Sequence, residues 1–98
     1  MASRDKLSDD AIRDFLDKNP TFSLERDALC RFYKFPDYAA GLAFVVRVSM
    51  AAEKRDHHPD VRLSYGRVDI LWTTHDRGGI TALDVEMAQA TEKLYASA

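Results

Sequence analysis

The three histidines of this chain lie close together in sequence, in polar segments beside predicted strand or helix ends. His57 and His58 are adjacent and precede a proline, and His75 follows the last predicted strand. Loops at strand ends, held by a rigid sheet, are where catalytic groups usually lie. Histidine has a reference pKa of about 6.5, so it takes up and releases protons near neutral pH. The cluster therefore predicts acid–base chemistry, in which one group protonates a leaving hydroxyl while another removes a proton elsewhere.

Each of these polar residues, taken singly, also has a structural interpretation. An adjacent histidine pair before a proline is most often part of a surface loop, and His75 alone would more commonly end a strand. Glu53 suits a solvated residue in the last turn of a helix. Thr81 followed by Asp84 has the spacing of a capping box, which gives Asp84 a sufficient structural role. Only the spacing of the whole set can therefore separate a catalytic site from these structural roles.

A zinc site is the main chemical alternative, because three histidines and a carboxylate can form an open catalytic zinc centre. The sequence lacks the H-E-x-x-H pair that would place two histidines on one helix face. Adjacent histidines also point to opposite sides of an extended chain. Cys30 is the only cysteine, which excludes a thiolate cage, and its apolar neighbours predict a small buried hydrophobic residue. We therefore expect no metal ion.

Length and charge limit the classes of protein to which the chain can belong. With 98 residues, it is expected to form a single domain over residues 1–98. A formal net charge of −2 and a pI of about 5.9 argue against a nucleic-acid partner, which a basic patch would indicate. No apolar run approaches the roughly 20 residues of a membrane span, and the first residues lack the apolar core of a signal peptide. We expect a cytoplasmic protein that binds neither nucleic acid nor membrane.

Hydrophobic periodicity and turn residues predict the elements that must position the histidines. Ser8 is a helix N-cap followed by apolar residues at helical spacing, and Asp37 caps a second helix. Alternating apolar and polar residues indicate two hairpins. The order helix-strand-strand-helix-strand-strand-helix predicts an α+β fold, with three helices on one face of a four-stranded antiparallel sheet. The predicted helices lie between Ser8 and Asn19, over 38–52 and over 81–94, and the predicted strands over 21–26, 28–35, 61–65 and 68–72.

The helix predicted over residues 38–52 is apolar on nearly every side, interrupted only by Arg47 and Ser49. A helix of this kind is either fully buried or faces two partners. One small sheet cannot cover both sides, so we expect a homodimer or a homotetramer. A charged residue at Phe44 or Val48 is then expected to dissociate or aggregate the assembly. The two candidate faces are Tyr38, Leu42 and Val45, and Phe44, Val48 and Ala51.

The joint spacing of the polar residues resembles the signature of the pterin-4a-carbinolamine dehydratases. The segment 31–38, R-F-Y-K-F-P-D-Y, is similar to the stretch that leads into that family's long helix. T-H-D at 74–76 and G-I-T at 79–81 match a further segment closely. The resemblance extends from about Ser8 to Leu94, which is nearly the whole chain. The positions that carry the signature are Glu53, His57-His58-Pro59, Tyr65, His75 and Asp84.

This resemblance implies dehydration of 4a-hydroxytetrahydrobiopterin to quinonoid dihydrobiopterin, which recycles the cofactor of aromatic amino-acid hydroxylases. It also implies a four-stranded antiparallel sheet with three helices, assembly into dimers or tetramers, and activity without metal or cofactor. Carried over by position, His57 and His75 would be the acid–base groups and His58 would hold the 4a-hydroxyl. The substrate-binding set implied in the same way is Glu53, Asp56, Pro59, Thr73, Thr74, Asp76 and Asp84.

Three positions depart from the family pattern and bear on the identity of the substrate. Phe22 stands where the family commonly has tryptophan, Val61 where some members carry an aromatic residue, and Arg77 where a small or apolar residue is usual. A non-enzymatic role is the alternative function, because some family members bind and stabilise other proteins, including a transcription factor's dimerisation helices. The apolar helix over 38–52 would serve such binding equally well, but the complete histidine set favours the enzyme.

Overall fold

Within residues 4–98, which the computed structural model describes, three α-helices and four strands follow one another in the predicted order. The α+β fold class is therefore confirmed. A 3-10 helix, His75–Arg77, follows the last strand and was not predicted. The first strand is shorter than predicted because residues 20–21 form a turn. The elements are α1 (Asp9–Lys18), β1 (Ser23–Glu25), β2 (Ala28–Lys34), α2 (Tyr38–Lys54), β3 (Asp60–Ser64), β4 (Arg67–Trp72) and α3 (Ala82–Ala96).

Side-chain caps fix where the first two helices begin. Ser8 Oγ accepts a hydrogen bond from the Ala11 N–H at 3.1 Å, and Asp37 Oδ1 accepts one from the Ala40 N–H at 2.8 Å. Each cap satisfies a backbone donor that has no partner inside its helix. Both are the capping residues that the sequence predicts. No helix of the described chain is long and apolar enough to cross a membrane.

The four strands form one antiparallel sheet in the order β1-β2-β4-β3. Because β4 lies between β2 and β3, its C-terminal end is supported on both sides, and the segment that follows Trp72 leaves the sheet from a central strand. The three helices cover the inner face of the sheet and share one core with it. That core includes Leu29, Tyr33, Phe44, Val48, Val68, Ile70, Trp72, Leu83 and Met87, together with Ile12 and Phe15 of α1.

The structure decides which face of α2 packs on the sheet, and this corrects the expectation about its two faces. Phe44 and Val48 lie in the core, with 0% and 1% of their surface exposed. Gly41 allows close packing, since a Cβ there would lie 3.3 Å from side-chain atoms of Leu63 and of Val68. The expectation that a charge at Phe44 or Val48 would act on the assembly is therefore wrong. Both side chains lie in the protomer's own core, and a charge there would disrupt that core. The exposed apolar row of α2 is Tyr38, Leu42, Val46 and Met50.

The outer face of the sheet carries a network of ion pairs. Arg62 contacts Glu25 at 3.0 Å and Asp69 at 3.3 Å, and Arg67 contacts Asp69 at 2.8 Å. The hydrogen bond from Arg62 lowers the pKa of Glu25. Cys30 is buried at this face, and burial raises the pKa of its thiol to about 11. Cys30 therefore stays protonated at neutral pH, as the sequence predicts for a small buried hydrophobic residue.

The three positions that depart from the family pattern lie in different surroundings. Phe22 is buried and packs edge-on against Phe15 of α1, with ring centroids 5.3 Å apart. Val61 is half-buried on β3 and packs against the core. Arg77 is exposed on the 3-10 helix, with one guanidinium nitrogen 3.6 Å from the Asp5 carboxylate. Phe22 thus has a structural role in holding α1 against the rest of the domain.

Candidate active site

The three histidines lie around one open depression with a volume of about 320 Å³. The depression lies between the loop after α2, residues 55–59, and the segment that follows β4. His57 and His58 belong to the loop, and His75 belongs to the segment after β4. The fold therefore brings the two parts of the predicted histidine cluster together. Four of the predicted substrate-binding residues line the same depression, namely Asp56, Thr73, Thr74 and Asp76.

His57 is the most enclosed of the three histidines, with only 6% of its surface exposed. Its Nε2 lies 2.5 Å from Asp84 Oδ1, and its ring stacks on the Trp72 indole with centroids 5.8 Å apart. Its backbone N–H donates to the Ala52 carbonyl at 3.2 Å, which ties the residue to the end of α2. These contacts hold His57 by its backbone N–H, and they hold its imidazole by one ring face and by Nε2. Nδ1 is the nitrogen that remains for a substrate.

Asp84 is fully buried beneath His57 and does not line the depression. While Oδ1 meets His57, Oδ2 accepts hydrogen bonds from the Thr74 hydroxyl at 2.7 Å and from the Thr81 backbone N–H at 2.8 Å. The Thr81 hydroxyl donates to the same oxygen at 3.1 Å. The predicted capping role is thus present at the start of α3. The same carboxylate also fixes His57, so it reaches the depression only through that ring and through Thr74.

His58 forms a second histidine–carboxylate pair, but at the surface. Its Nε2 lies 2.6 Å from Glu53 Oε1, and the two side chains are 55% and 79% exposed. Glu53 lies in the last turn of α2 and contacts His58 rather than the wall of the depression. The ring of His58 is therefore held by one solvated contact.

His75 begins the 3-10 helix and is exposed. Its Nε2 is 4.0 Å from Asp60 Oδ2, a looser contact than those of His57 and His58. The neighbouring Thr73 is fixed more firmly, because its hydroxyl donates to the Asp27 carbonyl at 2.8 Å. The segment after β4 is thus fastened to the turn between β1 and β2, while the His75 side chain itself is exposed to solvent.

The loop over residues 55–59 is held from both sides. Arg4 donates to the carbonyl oxygens of Arg55 and Asp56, both at 3.3 Å. Arg55 also forms an ion pair with Glu86 of α3. Asp56 has a left-handed backbone with a φ of 48°, which turns the chain out of α2 and towards His57. Pro59 is half-buried at the end of the loop and does not line the depression.

Two residues of this site were not identified from the sequence. The alternation of β4 predicts that Trp72 lies on the inner face, and its position two residues before Thr74 is the available signal that it supports the site. Asp60 carries no local signal, because its proximity to His75 arises from the pairing of β3 with β4. Within the described residues 4–98, no three histidine, cysteine or acidic side chains converge as a metal-binding group.

The chain is similar to known proteins over nearly its whole length. The sequence model of the family described as pterin 4 alpha carbinolamine dehydratase matches residues 5–94. A protein of Rhizorhabdus wittichii, provisionally named a pterin-4-alpha-carbinolamine dehydratase, is 47% identical over 94% of this chain and 97% of its own length. One with the same provisional name from a Bradyrhizobium species is 45% identical over 95% of this chain and 96% of its own. The crystal structure of a transcriptional coactivator/pterin dehydratase from Brucella melitensis superposes with a TM-score of 0.86 at 30% identity, covering 93% of this chain and 99% of that one.

Proposed function

Because the chain belongs to the pterin-4a-carbinolamine dehydratase family, we propose that it is a lyase that removes water from a 4a-hydroxytetrahydropterin. The product is a quinonoid dihydropterin. With 4a-hydroxytetrahydrobiopterin as the substrate, the reaction recycles the cofactor of an aromatic amino-acid hydroxylase. The proposal places this activity in the cytoplasm and requires neither a metal ion nor a cofactor.

The His57–Asp84 pair is the observation that carries this proposal. A buried carboxylate 2.5 Å from Nε2 stabilises the imidazolium that forms when Nδ1 accepts a proton. A general base needs such stabilisation together with a fixed orientation, and the Trp72 ring supplies the second. Asp84 acts through His57, so it is a positioning residue rather than a substrate-binding one.

We assign the base to His57 and the acid to His75. His57 Nδ1 takes the proton of ring nitrogen N5, and the electron pair of that N–H bond forms the C4a=N5 double bond as the C4a–O bond breaks. His75 donates a proton to the departing hydroxyl, which leaves as water. His58, held by Glu53, binds the same hydroxyl. After each turnover, His57 must lose a proton and His75 must regain one, and the exposure of His75 allows that exchange through solvent.

A dehydration assay with several 4a-hydroxypterins, generated in the reaction mixture, tests the proposal. The protein should accelerate water loss over the buffer rate, and dialysis against a strong chelator should leave the rate unchanged. Stoichiometric zinc whose removal abolishes activity would contradict the metal-free mechanism. No acceleration with any pterin would contradict the dehydratase itself.

Binding of further copies of this chain is a second candidate role, favoured by the exposed apolar row of α2. Val46 and Met50 of this row are 48% and 62% exposed in the isolated protomer. We propose that a homodimer or homotetramer covers the row, since soluble monomers rarely leave such a patch in water. Light scattering should then give a multiple of 11.1 kDa. Val46→Lys should dissociate the assembly, whereas Gln89→Lys, on the exposed side of α3, should not.

If the wild-type protein stays monomeric at high concentration, the homo-oligomer is contradicted. Thermal unfolding of Phe44→Lys serves as a control of a different kind. That substitution lies in the core and should lower the unfolding temperature whether or not an assembly exists.

A further inference from the structure

A separate cleft with a volume of about 260 Å³ lies beside the first helix. This α1 cleft is bounded by Ile12 and Arg13 of α1, by Asp27 of the turn between β1 and β2, and by Gly79 and Ile80 of the segment that leads into α3. It shares no lining residue with the catalytic depression, so the proposed dehydration makes no use of it. Most small-molecule sites measure roughly 300–1,000 Å³, and a cleft just below that range suits a ligand the size of one amino acid.

The apolar part of the α1 cleft is aliphatic. Ile12 and Ile80 line it as buried residues, and Leu16 lines it half-buried. Leu24, a fourth lining residue, has 52% of its surface exposed. Apolar surface that leaves water on contact with a ligand contributes to binding. The α1 cleft therefore offers an aliphatic floor to an apolar group.

Four charged side chains, two of each sign, surround this floor. Lys6, Asp9, Arg13 and Asp27 all line the α1 cleft, and all four are exposed. Within residues 4–98, none of the four side chains forms an ion pair or a hydrogen bond. Two cations and two carboxylates thus share one small cleft, and their charged groups remain available to a ligand.

A hollow on the other side of α1 provides a direct contrast. Asp14 and Lys18 line that hollow, and they pair with each other at 3.1 Å. Asp9 and Arg13 have the same spacing of four residues on the same helix, a spacing that brings two side chains together. They form no pair in the described chain. The charges on this side of the helix therefore face the α1 cleft without neutralising each other.

Two backbone features hold charges at the α1 cleft. A Cβ at Gly79 would lie 3.0 Å from Lys6 Cε, so the glycine allows the lysine stem to lie against the wall, and a bridge to Thr81 fixes the Lys6 backbone. Arg26 and Asp27 form the turn between β1 and β2 with left-handed backbones, with φ of 51° and 62°. Turns of this kind usually contain asparagine or glycine, and strained backbones cluster at ligand sites and active sites.

The balance of charges decides which ligand fits the α1 cleft. A fatty acid or a phosphate would attract Lys6 and Arg13, but it would bring a further negative charge towards Asp9 and Asp27. An alkylamine would attract the carboxylates and meet the two cations. A molecule with a carboxylate and an ammonium group at one end and an apolar group at the other satisfies both pairs and the floor. An α-amino acid with a large apolar side chain has this arrangement.

We propose that the α1 cleft is a binding site for a free α-amino acid with a large apolar side chain, such as leucine or phenylalanine. Lys6 and Arg13 hold its carboxylate, Asp9 and Asp27 hold its ammonium group, and its side chain lies on the aliphatic floor. The inference does not depend on the proposed dehydratase function, because the α1 cleft and the catalytic depression have no lining residue in common.

Titration calorimetry with a set of matched ligands tests the chemistry of the site. The ligands are L-leucine, L-phenylalanine, glycine, and the two halves of leucine, 3-methylbutylamine and 4-methylpentanoate. L-leucine or L-phenylalanine should bind roughly tenfold more tightly than glycine or either half, the discrimination typical of a contact to a charged group. Equal affinity for 4-methylpentanoate or 3-methylbutylamine would overturn the zwitterionic ligand. Absence of binding by both amino acids at millimolar concentration would overturn the site.

Charge-removing variants test the assigned contacts. Arg13→Gln should weaken L-leucine and 4-methylpentanoate by about three- to tenfold and should not weaken 3-methylbutylamine. Asp27→Asn should do the reverse, and asparagine keeps the turn because it tolerates a left-handed backbone. Lys18→Gln, on the other side of the same helix, is the matched control and should leave all affinities unchanged. All three positions are exposed, so the variants should keep the wild-type unfolding temperature. Equal losses of affinity in Arg13→Gln and Lys18→Gln would overturn the contact of Arg13 with the carboxylate.

Amide chemical shifts locate the bound ligand independently of its affinity. In ¹H–¹⁵N spectra of the wild-type protein, saturating L-leucine should shift the resonances of Leu24, Gly79 and Ile80, which line the α1 cleft. The resonance of His58, which lines the catalytic depression, should change little. Shifts confined to the residues of the depression would overturn the placement of the ligand in the α1 cleft.

Discussion

His57 and His58 are neighbours in the chain, and each presents Nε2 to a carboxylate at nearly the same distance, 2.5 Å from Asp84 and 2.6 Å from Glu53. Their surroundings differ. The His57–Asp84 pair is removed from water, and Asp84 accepts further hydrogen bonds from Thr74 and Thr81. The His58–Glu53 pair is solvated on both sides. Exposed pairs of this kind contribute about 0–1 kcal/mol, whereas a buried partner cannot be removed without leaving polar groups unpaired.

The two carboxylates also lie at opposite ends of helices. Asp84 is in the first turn of α3, where backbone N–H groups and the positive end of the helix dipole stabilise a negative charge. Glu53 is in the last turn of α2, where the dipole has the opposite sign. The two histidine–carboxylate pairs therefore differ in energy, although their N···O distances are nearly equal. The buried pair can hold its imidazole in a fixed position, and the exposed pair can change its geometry in solvent.

The largest difference between the two histidines should be in catalysis. Replacing His57 by Gln, which retains much of the volume, is expected to lower kcat by about 10²–10⁴-fold, the usual contribution of a general acid or base. His75→Ala should have an effect in the same range. His58→Ala should raise KM at least as strongly as it lowers kcat, because the role proposed for His58 is chiefly to bind the hydroxyl. Steady-state kinetics measure all three, and near-normal kcat in both the His57 and His75 variants would disprove the assigned roles.

The next largest difference should be in stability. Asp84→Ala removes the Asp84 half of the α3 capping box, worth about 0.5–2 kcal/mol, and leaves the buried Thr81 backbone N–H without its acceptor, at about 1–3 kcal/mol. Glu53→Ala should change the free energy of unfolding by less than about 0.5 kcal/mol. Urea denaturation followed by circular dichroism compares the two variants. Similar losses of stability in both variants would contradict the expectation that the buried pair stabilises the fold more than the exposed pair.

A finer test separates the two roles of Asp84. Asp84→Asn keeps an oxygen that can accept from Thr81 and Thr74, but it removes the negative charge behind His57. We expect kcat to fall by about 10²–10⁴-fold, because an amide at this position no longer stabilises the imidazolium or its tautomer, with a smaller loss of stability than in Asp84→Ala. The pH profile of kcat should change in this variant and stay unchanged in Glu53→Gln. If Asp84→Asn retains full activity and the wild-type profile, the carboxylate serves only as a cap.

The smallest expected effect concerns the ring beneath His57. Trp72→Phe keeps an aromatic surface but loses the indole N–H that donates to the Thr91 hydroxyl at 3.2 Å. The loss of that bond should cost roughly 0.5–1.5 kcal/mol of stability. kcat should fall by less than in Asp84→Asn, because the carboxylate still holds Nε2. A larger loss of kcat in Trp72→Phe than in Asp84→Asn would mean that Trp72 contributes more than Asp84 to holding His57.

The parts of the molecule that could be predicted from the sequence are those set by local rules. Ser8 and Asp37 cap their helices as expected, and Asp84 has the capping position that its spacing from Thr81 indicates. The alternation of apolar residues in β4 predicts its inner face. His57 and His58 follow a predicted helix, and His75 follows a predicted strand. Their positions at the ends of these elements gave reason to expect that they meet.

What could not be predicted depends on contacts between distant segments. Asp84 Oδ1 meets His57, which is 27 residues away in sequence, and no periodicity encodes that contact. In a helix that is apolar on nearly every side, the sequence does not indicate which face packs on the sheet. Only the structure therefore shows that Phe44 and Val48 face the core. The pairing of β3 with β4 likewise brings Asp60 towards His75 only in three dimensions.

The attachment of Asp84 to both His57 and the first turn of α3 has a consequence for local unfolding. Whenever that turn frays, the Thr81 amide loses its acceptor and His57 loses its partner in the same event. The free energy of this local opening is therefore also the free energy required to break the His57–Asp84 contact. Native-state hydrogen exchange at the Thr81 amide would report that population directly. The site is accordingly formed or lost as a unit with the start of its third helix.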